Sequence, residues 1–202
     1  MVTPKRTAAL PPLVYVLATF GVISGSYGAL RAISSATMFA KPREVYLAMV
    51  TAQNEALKPL VDAPTLEKYD AHEADARYGR RNAALPLAGV GLVLSCLMFA
   101  GAMRAMRGDG WGLSAWSFSA AACIPYQLLN LALTFVTARD LGKAVAELPP
   151  MAQLIVGNAQ LLASIFFCAV AILYYGVCVI YLRTAGVKSA FSDAAARTPP
   201  SA

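Results

Sequence analysis

The sequence predicts an all-α integral membrane protein: a four-helix bundle with an extracytoplasmic helical hairpin between spans one and two. Three observations predict it. Of 202 residues, 58% are hydrophobic and 14% are charged, against ~45–50% and ~25% in ordinary soluble domains. Four stretches, 7–30, 82–103, 111–138 and 148–182, contain no Asp, Glu, Lys, Arg or His. A bilayer core takes about 20 apolar residues of helix per crossing, so each stretch is long enough for one span. The third observation is where charge does fall. Lys5 and Arg6 precede the first stretch, Arg104 and Arg107 follow the second, and Arg183, Lys188 and Arg197 follow the fourth. The connection 41–81 is balanced, with seven basic and seven acidic residues, and 139–147 is balanced too. Basic flanks stay on the cytoplasmic side. Both termini are therefore expected in the cytoplasm and 41–81 outside, in a multi-pass protein of the cell membrane. The net charge of +6 is read as this topology signal, with no nucleic-acid partner.

The chain is expected to form a single membrane domain over 1–202. Span one, about 8–30, has Pro11 and Pro12 in its first turn, where a missing N–H costs least. Ala18, Gly21, Gly25, Gly28 and Ala32 recur at steps of three and four, which is one helix face of small residues. Apolar association is weak in lipid, so helices join where small residues let backbones approach. A basic pair followed by an apolar run also has the form of a secretory leader. The small-residue face argues for an uncleaved anchor instead.

The connection 41–81 has its own helical signals. Pro42 starts a segment with apolar positions at Tyr46, Met49, Val50 and Leu57, and Pro59 ends it. Asp62-Ala63-Pro64-Thr65 reads as a second helix start, followed by a polar, Ala-rich arm. That arm places Glu67, Asp70 and Glu73 three apart with His72 alongside. Carboxylates so spaced could hold a cation, but the expectation is a solvated charged face and no metal site.

Span two, about 84–106, carries Ala84, Ala88, Gly91 and Ser95 on one face. Span three, about 111–137, opens with Trp111 and Trp116, residue types suited to a membrane interface. Span four, about 151–182, follows Pro149-Pro150. Its 32 residues measure about 48 Å at 1.5 Å each, more than the ~30 Å hydrocarbon core. Gly157, Ser164, Ala171 and Cys178 lie seven apart along it, as in a helix-packing seam. The tail 184–202 is small and polar and is expected to be disordered. Cys96, Cys123, Cys168 and Cys178 all fall within spans, which argues against an exported disulfide framework.

Chemistry is sparse. Ala120, Cys123, Gln127, Asn130, Thr134 and Thr137 form a polar stripe on span three, and such a stripe turns toward protein rather than lipid. By depth, Gln127, Asn130 and Thr134 group with Ser24, Tyr27 and Arg31 of span one and with Asn158 and Gln160 of span four. These eight are the candidate ligand-binding residues. Each also has a plainer reading, as interhelical hydrogen-bond glue or, for Arg31, a side chain reaching headgroups. No acid, Lys or His lies mid-span, where proton-coupled transporters usually need one. No catalytic motif is visible, no catalytic residue is assigned, and no cofactor is expected.

The sequence thus points to a non-enzymatic structural, accessory or assembly component. It would work through helix packing (Gly21, Gly25, Gly28, Gly91, Ser95, Gly157, Ser164, Ala171) and its outer hairpin, with the bilayer, itself or another membrane protein as partner. The alternative is an oligomeric channel or small-solute binder with a polar pocket in the outer half of the bundle.

Overall fold

Prolines, glycines and two aspartates set most of the helix boundaries. The structure, a computed structural model, describes residues 10–195. Helix α1 spans Pro12–Phe39, and α2, Arg43–Gln53, begins directly after Pro42. A 3₁₀ turn over Asn54–Leu57 leads to α3, Ala63–Tyr78. The Asp62 side chain caps α3 by accepting from Thr65 N at 3.2 Å, and hydrogen bonds from the Thr65 hydroxyl and then its N–H hold the Asp62 carboxyl below the ordinary value. Gly79 and Arg80 separate α3 from α4, Arg81–Ala105. The next turn needs a positive φ, and Gly108 supplies it at 79°. Asp109 Oδ1 accepts from Trp111 N at 2.9 Å as α5 starts, and α5 runs over Gly110–Ala146. After Pro149 come α6, Pro150–Gln153, a π-helical stretch over Leu154–Ala159, and α7, Gln160–Leu182. Helix α8, Ala185–Ala195, completes the described chain. Among the described residues there is no strand.

Four helical stretches are long and apolar enough to cross a membrane: Pro12–Phe39, Arg81–Ala105, Gly110–Ala146 and Pro150–Leu182. They leave large apolar side chains open, among them Phe20, Val93, Leu129, Phe166, Leu173 and Ile180. A water-facing helix carries polar residues on such a face. These four helices belong to a multi-pass membrane protein.

The chain divides into two compact units. The first comprises the described parts of Met1–Leu30, Gly91–Pro125 and Ile172–Ala202. Its centre is Trp116, fully buried with Val14, Ala18, Ala102, Ala105, Ala120 and Cys178. Backbones meet closely around it. A Cβ on Gly25 would lie 2.8 Å from Ser95 O and 2.9 Å from Phe99 N, and one on Gly28 would collide with Ser95 Oγ. A Cβ on Gly101 would lie 2.6 Å from Trp116 N. Tyr174 Oη donates to Leu17 O at 3.0 Å, tying α7 to α1. Trp116, expected at the membrane interface, is buried among the helices instead of exposed: Gly21 leaves room for its ring, and Gly101 lets its backbone approach α4. Trp111 remains exposed, with the Arg104 guanidinium 4.9 Å from its ring centre.

The tail needs a second correction. Over 185–195, part of the region expected to be disordered, the chain is helical because Val187 and Phe191, one turn apart, both find burial. The rest of that expectation, 196–202, lies outside the described residues, as do residues 8 and 9 of the expected first span.

The second unit comprises Arg31–Val90 and Tyr126–Ala171. Helix α1 continues past its expected end near residue 30 because nothing breaks it and Met38 and Phe39 pack on Tyr46, Val50 and Ala74. The Phe39 and Tyr46 rings stack at 5.7 Å. A second cluster joins Leu57, Val61, Leu66 and Tyr69 to Leu148 and Ala152. Helix α5 likewise runs on through 139–146, expected as part of a loop, since Ala144 and Val145 pack against that cluster. A Cβ on Gly157 would lie 3.3 Å from Val145 Cγ1, so the π-helical stretch lies close to the end of α5.

Candidate functional site

The most developed polar arrangement is in the second unit, on α3. Leu66, Tyr69 and Ala74 turn one side of this polar helix inward, and residues 70 and 73 go with them. Asp70 is only 2% exposed and Glu73 4%. The expected solvated acidic face is therefore corrected: of Glu67, Asp70 and Glu73, only Glu67 faces outward. Two buried carboxylates need partners, and they have them. Asn54 Nδ2, from the turn after α2, donates to Asp70 Oδ1 and to Glu73 Oε2, each at 2.8 Å. The Arg77 guanidinium, one turn along α3, pairs with Glu73 Oε1. Burial, reinforced by the neighbouring Glu73 charge, pushes the Tyr69 phenol above its ordinary value. Burial does the same to Tyr46.

A second knot is built on Arg80, which follows the Gly79 break. Its guanidinium donates to Ala76 O and Thr137 Oγ1, each at 3.0 Å, and to Val136 O at 3.2 Å, and it pairs with Asp140. It thereby ties the end of α3 to α5. At the other end of α2, Arg43 Nε donates to Asp75 Oδ1 at 2.8 Å. The outer surface of α3 keeps Glu67, Lys68, His72 and Asp75 exposed, with His72 Nδ1 3.0 Å from Lys68 O.

Asp70 and Glu73 are engaged by the Asn54 amide, and Glu73 also by the Arg77 guanidinium and the Tyr69 phenol. Among the described residues, no three His, Cys, Asp or Glu side chains converge as metal ligands. Paired buried polar groups favour one arrangement of the turn after α2 on α3 over slipped ones, although Arg77 Nε is buried here without a partner.

The eight candidate ligand residues are distributed over both units. Ser24 and Tyr27 belong to the first. Ser24 Oγ donates to Gly21 O at 3.3 Å, and Tyr27 is 67% exposed. Arg31, Gln127, Asn130, Thr134, Asn158 and Gln160 belong to the second. Asn130 Nδ2 donates to Tyr126 O at 3.1 Å, and Thr134 Oγ1 donates to Asn130 O at 2.9 Å. Both bonds close on the same helix one turn back, the way polar side chains are accommodated in apolar surroundings. Gln127 contributes its carbonyl, which accepts from Cys168 Sγ at 3.7 Å. Arg31 and Gln160 are exposed. Asn158 falls in the π-helical stretch, and its side chain lies outside what the structure describes.

Sequence reasoning missed Asn54 and Arg80. Arg80 reads as one of a basic pair flanking a span, and only its position after Gly79 hints at a turn inward. For Asn54 there was an indirect signal: Leu66, Tyr69 and Ala74 place 70 and 73 on an inward face, which requires a donor opposite. Comparison with protein-family models, curated proteins and solved structures gives no match.

Proposed function

We propose that the protein is a non-enzymatic multi-pass membrane component that holds a rigid helical hairpin, α2 with α3, outside the cell membrane as its docking element. The observation that carries this reading is the Asn54–Asp70–Glu73–Arg77 network. Burying charge costs several kcal/mol per ion before partners repay it. Such a cost suits an element that must keep one shape, and the hairpin's exposed face carries both charge signs, Lys68 with Glu67 and Asp75. The balanced charge of 41–81, set against basic flanks elsewhere, supports the outward placement. The small-residue faces of α1 and α4 meet each other in this chain at Gly25 and Ser95. The hairpin is the surface this reading assigns to a partner.

The test is native mass spectrometry of protein extracted in a mild detergent, with and without charge reversal of Lys68 and Glu67. A complex with one defined polypeptide, lost in the reversed variant but retained when Arg107 is reversed, is the expected result. Retention of the complex after reversal on the hairpin would count against it.

A second reading, an oligomeric channel or small-solute binder, is favoured by the π-helical stretch over Leu154–Ala159, because π-bulges frequently mark functional sites. In the same experiment it predicts a homo-oligomer or a retained solute lost on Asn130→Ala.

A further inference from the structure

A cleft of about 460 Å³ in the first unit brings basic, hydroxyl and apolar side chains together. One wall is α5, with Ser114, Ser117, Phe118 and Ala121; the other is the junction of α7 and α8, with Arg183 and Lys188. No carboxylate lines it. Neither Arg183 nor Lys188 has an ion-pair partner among the described residues. The cleft is also amphipathic. Phe118, 62% exposed, extends its apolar wall to the molecular surface.

The level of the cleft along the helices is marked twice. Arg183 is the first residue after the apolar stretch Pro150–Leu182, where hydrocarbon must give way to headgroups. Trp111, exposed and stacked with Arg104, is one turn before Ser114 on α5, and exposed tryptophans favour that same depth. Beyond it, α8 is held down by Val187 and Phe191, which fixes Lys188 at the rim.

We propose that this cleft binds an anionic phospholipid, with its phosphate between Arg183 and Lys188 and the upper part of one acyl chain along Phe118 and Ala121. The Ser117 hydroxyl is placed to donate to a phosphate or ester oxygen. Two cations converging on one polar end recognise an anionic headgroup, and the apolar wall distinguishes a lipid from free phosphate. The site is separate from the hairpin. It rests on the four-span reading and not on the docking role or on which side of the membrane the hairpin faces.

The experiment uses the full chain in a mild detergent, titrated with phosphatidylglycerol or with phosphatidylcholine of the same chains and read by native mass spectrometry. One tightly retained phosphatidylglycerol is expected, preferred over phosphatidylcholine by about tenfold or more. The double substitution Arg183→Gln, Lys188→Gln weakens it by about thirtyfold, and Arg107→Gln leaves it unchanged. Ser117→Phe, which fills the cleft and alters no charge, also removes the bound lipid and keeps the proposal testable if the double variant folds poorly. Equal retention of the two lipids would overturn the proposal. So would an effect of Arg107→Gln equal to that of the double variant, or displacement of the lipid by inorganic phosphate at matched concentration. A chain that stays monodisperse without detergent would overturn the four-span reading itself, and the lipid site with it.

Discussion

Replacing Arg77 with methionine lowers the stability of the purified protein by about 3 kcal/mol, the lower end of the range for breaking a buried charge pair. The lower end applies because the Arg77 side chain is 28% exposed and water recovers part of the loss. Without the guanidinium, Glu73 keeps only neutral partners, the Asn54 amide it shares with Asp70 and the Tyr69 phenol, so a buried charge loses its counter-charge. The partner substitution decides the mechanism. If the cost is that of the stranded carboxylate, adding Glu73→Leu to Arg77→Met restores most of the stability, since apolar replacement of a whole buried pair is often neutral. The measurement is the denaturation midpoint of the single and double variants in one detergent. Additive losses would mean that Arg77 contributes by packing rather than by charge.

Gly25→Leu is expected to cost about 3 kcal/mol or more, the upper range for overpacking. The first atom of the new side chain would already lie 2.8 Å from Ser95 O and 2.9 Å from Phe99 N. Both are backbone atoms and cannot swing aside as a side-chain tip can, so α1 and α4 must separate. Gly176 is the control, because a Cβ there meets nothing within 4 Å. Gly176→Ala should be neutral or slightly stabilising, in line with a helix propensity gain of up to about 1 kcal/mol. Thermal unfolding of the two variants makes the comparison. Equal tolerance of Gly25→Leu and Gly176→Ala would mean that α1 and α4 do not pack closely at Gly25.

How much of this was legible in the sequence depends on the kind of signal. The four apolar helices were, because their length and lack of charge leave few alternatives. The steps of three and four that align Gly21, Gly25 and Gly28 were legible as a face, whereas the neighbour that meets each glycine is a tertiary fact. Helix ends went astray where burial rather than a breaker sets them. Helix α1 runs on to Phe39 and α5 to Ala146 because those ends pack in the second unit, and α8 forms because Val187 and Phe191 find cover. The acidic arm misled for the opposite reason. Charge composition favours solvent, and only the inward turn of Leu66 and Tyr69 reveals that Asp70 and Glu73 go inside. Trp116 shows the same limit, since residue type suggests an exposed interfacial ring and the space opposite Gly21 lets the ring be buried.

Cysteine labelling in intact cells tests most directly the proposed arrangement of four membrane spans with the α2–α3 hairpin outside. In a background with Cys96, Cys123, Cys168 and Cys178 replaced by alanine, a single cysteine is placed at Lys68 on the exposed face of α3, or at Arg107 between α4 and α5. A membrane-impermeant maleimide is expected to modify Lys68→Cys in intact cells and Arg107→Cys only after permeabilisation. Labelling of Arg107→Cys with protection of Lys68→Cys would invert the topology, and labelling of both in intact cells would contradict the four-span arrangement.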